Sequence, residues 1–248
     1  LLDPAINEQS SKALHRRLMR WLFRRNLRFA RHVVVQTGVM KEQLAGSHNI
    51  SPGLIAVIPQ PAPDWFTLST ETGRKAFSEV FTLFCPATLC PHKNHVIFEK
   101  LASFVDEMDL RLKAIVTVPR SELPDGLQRL PWPGPVGRAS GREMERLYRE
   151  VDGLFFPSWL ETYGLSLVEA MTFGLPVACS NLPYARRLCE EQACYFDPNS
   201  GRSAAEAIRR LRRQALGKPD CVNWGKAPAK LPRDWDEVAA RMVELMAY

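Results

Sequence analysis

The chain has 248 residues, 46% hydrophobic and 24% charged, with a net charge of +6; this is the balance of an ordinary globular protein of one large or two modest domains. It excludes a disordered, collagenous or disulfide-scaffolded chain. The longest apolar stretch, around Leu165 to Cys179, is broken by Glu169 and Pro176 and falls short of the ~20 residues a membrane span needs.

In chain order, residues 1–12 lack the basic and apolar regions of a secretory signal. The positive charge is concentrated immediately after them. Residues 1–60 carry nine Lys/Arg against three Asp/Glu, whereas 61–248 carry 24 of each, and 12–31 hold eight basic residues and no acidic one. Wound as a helix, this stretch puts Arg16, Arg17, Arg20, Arg24, Arg28 and Arg31 on one arc. Leu14, Leu18, Trp21, Leu22 and Phe29 fall opposite. Two readings are open. The helix packs its apolar stripe on its own domain with the arginines in water, or it lies on an anionic membrane through Arg16, Arg20, Arg24 and Arg28. Nucleic acid is not expected as a partner, because no stacking platform or base-reading motif accompanies the charge.

A β-branched run, HVVVQT, leads into a helix from Val39 to Ala45, then a strand from Leu54 to Ile58 and a proline-dense linker from Pro59 to Phe66. Regular alternation follows. Strands are expected at Phe81–Phe84, Leu110–Val118, Leu154–Phe156 and Pro176–Ser180, and helices at His95–Glu107, from a Ser140-x-x-Glu143 capping box to Glu150, and at Leu165–Phe173. A basic helix at 203–213, a polar loop over 211–233 and an amphipathic helix from Asp234 to Met246 complete the chain. This pattern predicts an α/β fold, a Rossmann-like doubly wound parallel sheet. The six cysteines (85, 90, 179, 189, 194 and 221) include no C-x-x-C pair and read as free thiols.

In such a sheet, ligands bind outside the carboxyl ends of the strands, where helix N-termini turn free N–H groups outward. Two segments have that address. In residues 155–174 a strand ends at Pro157-Ser158, a loop carries Glu161, and Tyr163-Gly164-Leu165-Ser166 turns into a helix holding Glu169. The amides of 164–166 suit an anion, and the two carboxylates suit sugar or ribose hydroxyls. The second segment, CPATLCPHKNH (85–95), places Lys93 just before a helix, where it can neutralise phosphate charge and stabilise a departing diphosphate.

The run PSWLETYGLSLVEAMTFGLPVACS, with Glu161-x7-Glu169 inside it and YFDP after it, resembles the donor-binding core of the GT-B glycosyltransferases of family four. PVG (135–137), the Met144/Leu147-Tyr148 helix, PATLCPHKNH, and QT with VMKEQL and VIPQP are similar to further parts of that family, in the form seen in bacterial surface-polysaccharide transferases. The closing WDEVAARMVELM is similar to its last helix. The resemblance implies a retaining enzyme that uses a nucleotide-diphosphate sugar and needs no metal or other cofactor. Its acceptor would be a saccharide or a lipid-linked one, and its place cytoplasmic and peripheral at the inner membrane face. By the same resemblance Glu169 would hold ribose, and Glu161 the hexose or reacting centre. Lys93, Thr88 and the Gly164-Leu165 amides, flanked by Tyr163 and Ser166, would grip the diphosphate, with Val136 and Gly137 beside the base.

The sequence departs from the family at two places. Thr88 stands where many relatives carry an arginine, which leaves more of the diphosphate to Lys93 and the backbone; His92 is a neighbour that could assist. Only residues 1–62 match the acceptor-side domain, against 63–233 for the donor domain and 234–248 for the returning helix. A catalytically incomplete donor-binding or membrane-associated module, and a nucleotide-sugar epimerase, therefore stay open as alternatives. Asp234-Trp235-Asp236 spells a D-x-D metal motif, but its place at a helix start, followed by Glu237, fits capping.

Overall fold

The computed structural model describes residues 13–63, 79–217, 224 and 231–247, with side chains from residue 17 onward. Backbone contacts divide the chain into two units, 62–230 and a second made of 1–61 with 231–248.

The larger unit is a six-stranded parallel sheet of β3 (Phe81–Cys85), β4 (Leu112–Val116), β5 (Pro133–Pro135), β6 (Gly153–Phe156), β7 (Val177–Ser180) and β8 (Cys194–Phe196). Its spatial order is β5-β4-β3-β6-β7-β8. The chain thus builds outward from β3 to one edge, returns to β3's other side, and builds outward again. The helices are α3 (Ile97–Glu107), the short α4 (Asp125–Gln128), α5 (Gly141–Glu150), α6 (Leu165–Thr172), α7 (Pro183–Cys189) and α8 (Gly201–Gly217).

Strand periodicity sends alternate residues to opposite faces. Leu83, Cys85, Phe155, Ala178 and Phe196 join one core with Ile97, Phe98 and Leu101 of α3 and Ala204, Ile208 and Leu211 of α8. Phe84, Leu154, Phe156, Val177 and Cys179 join the other with Leu147 and Tyr148 of α5 and Leu167, Ala170 and Met171 of α6. The sheet is covered on both sides, as its continuous apolar strands require. Gly201 opens α8 where a Cβ would run into the Lys100 carbonyl, so the absence of a side chain lets α8 close on α3.

The expected elements are present with ends shifted by a few residues, and the capping box is formed: the Ser140 N–H donates to the Glu143 carboxylate at 2.7 Å. Three departures have physical reasons. β5 reads Pro-Gly-Pro, which carries no strand signal, but it is an edge strand, where prolines are tolerated; it pairs through the Trp132 carbonyl and the Val136 N–H. α7 and β8 are short and were also not anticipated from periodicity. The basic helix runs to Gly217, so the first part of the expected 211–233 loop is helical; residues 218–223 and 225–230, with Cys221, lie outside the described residues. Cys85, Cys90, Cys179, Cys189 and Cys194 are free thiols.

The smaller unit contains α1 (Ala13–Leu27), β1 (Val33–Val35), α2 (Gly38–His48), β2 (Ile55–Val57) and α9 (Trp235–Met246), with β1 and β2 paired in parallel. Asp234 caps α9 by accepting the Glu237 N–H at 2.8 Å, which accounts for the D-x-D sequence. The linker's residues 64–66 lie outside the described residues.

Candidate functional site

The strand order reverses between β3 and β6, and in open α/β sheets this switch point is where ligands bind, outside the carboxyl ends of the strands. The segments that follow those two strands are the ones carrying Lys93 and Glu161. Their side chains meet: Lys93 Nζ lies 2.6 Å from Glu161 Oε1, with side-chain exposures of 20% and 11%. The ammonium group also sits over the Phe156 ring, 5.6 Å from its centroid.

Lys93 ends a single 3-10 turn, Pro91–Lys93, and Asn94 breaks that turn in the left-handed region, with φ 55° and ψ 40°. Asparagine tolerates this conformation better than most residues. Its side chain, 1% exposed, donates to the Pro157 carbonyl at 3.1 Å and to the Pro198 carbonyl at 2.8 Å, tying together the loops after β3, β6 and β8. Two further bonds fix the loop after β6. The Trp159 N–H donates to the His92 carbonyl at 2.8 Å, and the Tyr184 hydroxyl to the Ser158 carbonyl at 2.6 Å. His95 is buried, and burial together with the Lys93 charge lowers its pKa to about 4, so the ring is neutral. The same two causes lower the pKa of His92.

The loop carrying Glu161 ends at Gly164, whose φ of +91° only glycine adopts without strain. Gly164 is the N-cap of α6 and offers no side chain to the first turn; its carbonyl accepts from Leu167 and Val168. The free amides of that turn make a positive end on the helix dipole. One turn further along, Glu169 is 6% exposed, and Tyr148 of α5 donates to its Oε2 at 2.6 Å. Burial raises the Glu169 pKa, and the Tyr148 hydrogen bond offsets part of that rise.

The structure therefore brings Lys93 and Glu161 into contact and places Gly164, Leu165, Ser166 and Glu169 on one short helix beyond them. Leu165 is exposed, Ser166 half-buried, and Tyr163 buried within the fold. Thr88 is exposed, and its hydroxyl pairs with Cys90 Sγ at 3.7 Å. Val136 and Gly137 follow β5, two strands removed from β3 at the same end of the sheet; Val136 is half exposed, and Gly137 has φ +79°. Sequence reasoning missed Asn94 and the Tyr148 hydroxyl. An asparagine before an apolar helix is a weak signal for a left-handed cap, and a tyrosine on an apolar helix face gives none for its hydroxyl.

The basic residues behave differently from the helical projection. α1 ends at Leu27, so Arg28, Arg31 and Phe29 lie beyond the helix and do not continue its arc. The side chain of Arg16 lies outside the described residues. Arg24 and Arg28 line an open groove of about 600 Å³ with Leu27, His48 and Ser51, while Arg20 and Arg24 help to lower the His48 pKa after burial. The apolar stripe is not packed away: Leu18 is 51% and Trp21 55% exposed. Among the described residues, no helix is long and apolar enough to cross a membrane.

Comparison with known proteins gives this site a setting. The chain is 23% identical over 212 residues to the O-antigen chain mannosyltransferase RfbU of Salmonella typhimurium, covering 82% of this chain and 56% of that protein. A 68-residue stretch is 31% identical to the O-antigen chain mannosyltransferase B of Escherichia coli, covering 27% of this chain and 18% of that protein. The chain thus spans little more than half the length of the first of these relatives, and less of the second. Among solved structures, it resembles Anabaena HepE in complex with UDP and glucose, with a TM-score of 0.69 and 17% identity over 90% of this chain and 64% of that one. It also resembles a glycosyltransferase from Rickettsia africae, with a TM-score of 0.69 and 16% identity over 87% of this chain and 62% of that one. These likenesses establish the fold as that of GT-B glycosyltransferases. Residues 82–214, more than half of the chain and all but the first residue of the six-stranded sheet, match glycosyl transferases group 1, and the chain belongs to that family.

Proposed function

We propose that this chain binds a nucleotide-diphosphate sugar and serves in the retaining transfer of its hexosyl unit to a saccharide or lipid-linked acceptor in surface polysaccharide synthesis. The observation that carries the reading is the Lys93–Glu161 ion pair at the topological switch of the sheet, next to the uncapped start of α6. Both partners gain a task when the donor arrives. The Lys93 ammonium and the Gly164–Ser166 amides meet the diphosphate and the charge that grows on it as it departs, so the site supplies positive charge from its own residues. Glu161 turns to the hexose hydroxyls, Glu169 accepts from the ribose hydroxyls, and Val136 and Gly137 border the base. Diphosphate departure and acceptor attack take place on the same face of the sugar.

Since RfbU and its relatives are named as mannosyltransferases, a mannosyl donor leads the candidates for the sugar. Residues 1–62 belong, in this reading, to the acceptor-side domain. Its helix α1 offers arginines together with exposed Leu18 and Trp21, a combination that fits an anionic membrane surface. Vesicle sedimentation tests this part: binding should require anionic lipid, fall with salt, and weaken in a variant with Arg20→Gln and Arg24→Gln. Equal binding of the variant would remove the arginines from that role.

The donor site is tested by calorimetric titration of the chain with UDP, GDP and their sugars, without added metal. Binding of one nucleotide series, weakened by ~1.5–3 kcal/mol in Glu169→Ala as expected for a hydrogen bond to a charged group, supports the reading. Unchanged affinity in both Glu169→Ala and Lys93→Ala would refute it.

A further inference from the structure

Tyr148 does more than fill the core. Its ring is held between two others: it meets Phe84 edge-on, with centroids 4.9 Å apart, and stacks on Phe173 at 5.4 Å with the planes 2° from parallel. A ring clamped in this way can present its hydroxyl in only one direction. That direction is the Glu169 carboxylate, 2.6 Å away, with the Ser166 carbonyl at 3.5 Å as a distant second acceptor. The two residues come from different helices, α5 and α6, 21 positions apart.

The bond divides the carboxylate. Oε2 is taken by Tyr148, while Oε1 has no protein partner among the described residues and is not among the sealed, unpartnered side-chain atoms. Glu169 thus keeps one oxygen held by Tyr148 and one without a partner among the described residues. A carboxylate so buried would otherwise favour its protonated form, which donates where a sugar hydroxyl needs an acceptor.

From this geometry we infer that Tyr148 is a positioning residue for nucleotide binding: its clamped hydroxyl orients Glu169 by donating to Oε2, so that the other oxygen accepts from a vicinal diol such as that of ribose. The inference rests on the donor-site reading above and adds to it the residue that makes Glu169 a competent acceptor. Burial and the Tyr148 hydroxyl are the two influences that set the acidity of Glu169. Behind Tyr148, burial pushes the Cys85 thiol up to about 12, so it stays neutral. Arg149, above Phe173, is paired with Glu145 at 2.8 Å. From α7, Tyr184 donates to Ser158, Arg186 pairs with Glu191, and Arg187 and Cys189 complete the ionisable groups of that helix.

The test compares the wild-type chain with Tyr148→Phe, which keeps the ring and removes the hydroxyl. In the nucleotide-free chains, the Glu169 carboxyl is followed by carbon-13 NMR against pH, with its signal identified by its loss in Glu169→Gln. Its midpoint should move upward in Tyr148→Phe. Affinity for UDP or GDP, whichever the wild-type chain binds, should then fall about tenfold near pH 6 and recover most of that loss near pH 8.5, because alkali restores the charge but the loss of one charged hydrogen bond remains. Phe173→Leu loosens the clamp while keeping the hydroxyl, and should lower thermal stability and move the midpoint upward by less than Tyr148→Phe does. An unmoved midpoint in Tyr148→Phe, or the same affinity loss at both pH values, overturns the role of Tyr148. A wild-type chain that binds no nucleotide overturns the donor reading instead, and the carboxyl titration tells the two failures apart.

Discussion

Replacing Glu169 by glutamine should separate what the residue costs the fold from what it gives to binding. The carboxylate is 6% exposed, has Tyr148 as its hydrogen-bond donor among the described residues, and burial raises its pKa from the ordinary glutamate value. The sign follows from linkage. Below the ordinary glutamate pKa both folded and unfolded chains hold the proton, and burial carries no ionic penalty. As pH rises past it, the unfolded chain ionises freely while the folded chain resists, so stability falls until the folded carboxyl has ionised too. Glutamine keeps the shape, accepts from Tyr148 through its carbonyl oxygen and has no charge to bury. Relief of a desolvated charge with a single partner is worth on the order of 1–2 kcal/mol. For a unit of this size that corresponds to a rise in Tm of about 2–6 °C at pH 7.5. The gain should shrink toward zero near pH 4. Affinity for UDP or GDP, whichever the chain binds, should fall about ten- to a hundredfold, because a neutral amide replaces a charged acceptor. Scanning calorimetry across that pH range, with a nucleotide titration at pH 7.5, measures both quantities. A Glu169→Gln chain that melts no higher than wild type at pH 7.5 would refute the claim that the fold holds a desolvated carboxylate for the sake of binding.

The ion pair and the loop junction give two further predictions. Lys93→Ala leaves Glu161 largely buried without its partner at 2.6 Å and should cost about 1–3 kcal/mol, less than a fully buried pair because both side chains keep some water. Adding Glu161→Ala should restore part of that loss, and a double-mutant cycle by urea denaturation that shows no coupling would contradict the pairing. At Asn94, glycine keeps the left-handed backbone but loses both donors to Pro157 and Pro198, whereas alanine loses the donors and adds strain. Asn94→Gly should therefore be the milder of the two by about 1 kcal/mol, and equal destabilisation in denaturant would show that backbone conformation is not part of the residue's role.

The fold was legible where burial imposes a period. β3 and β6 are short aromatic-rich runs and β7 a short run of small apolar residues, each bounded by Gly or Pro, and the helices α3, α5 and α6 carry apolar stripes, so sequence pattern located all six. It failed at the edges of the sheet, where packing on one side only relaxes the demand on side chains. β5 can be Pro-Gly-Pro because a single row of its backbone groups is used, and β8 is three residues long. It failed also where local pattern exceeds the element. The arginine arc continues to Arg31, but the helix stops at Leu27, because spacing cannot show where a backbone leaves its hydrogen-bond ladder.

The candidate site divides along a similar line, and the reason is topological. Lys93 and Glu161 are 68 positions apart, yet the alternation of strands and helices foretold a parallel sheet, and the address rule then placed both residues at its carboxyl end. What remained was the order of the strands. Only with β3 beside β6 do the loops that follow them come within reach of one another, and no feature of either loop records that adjacency. Tyr148 and Asn94 were hidden for the complementary reason. Each acts through contacts that cross between elements: Tyr148 from α5 to α6, and Asn94 from one loop to two others. A side chain whose work is to hold another in place is specified by the neighbour it meets, and that neighbour is set by the fold. Glu169 illustrates the consequence. Its position in the motif marks it as an acceptor, but burial pushes the carboxyl toward its protonated form, and the group that opposes this is a hydroxyl 21 residues earlier.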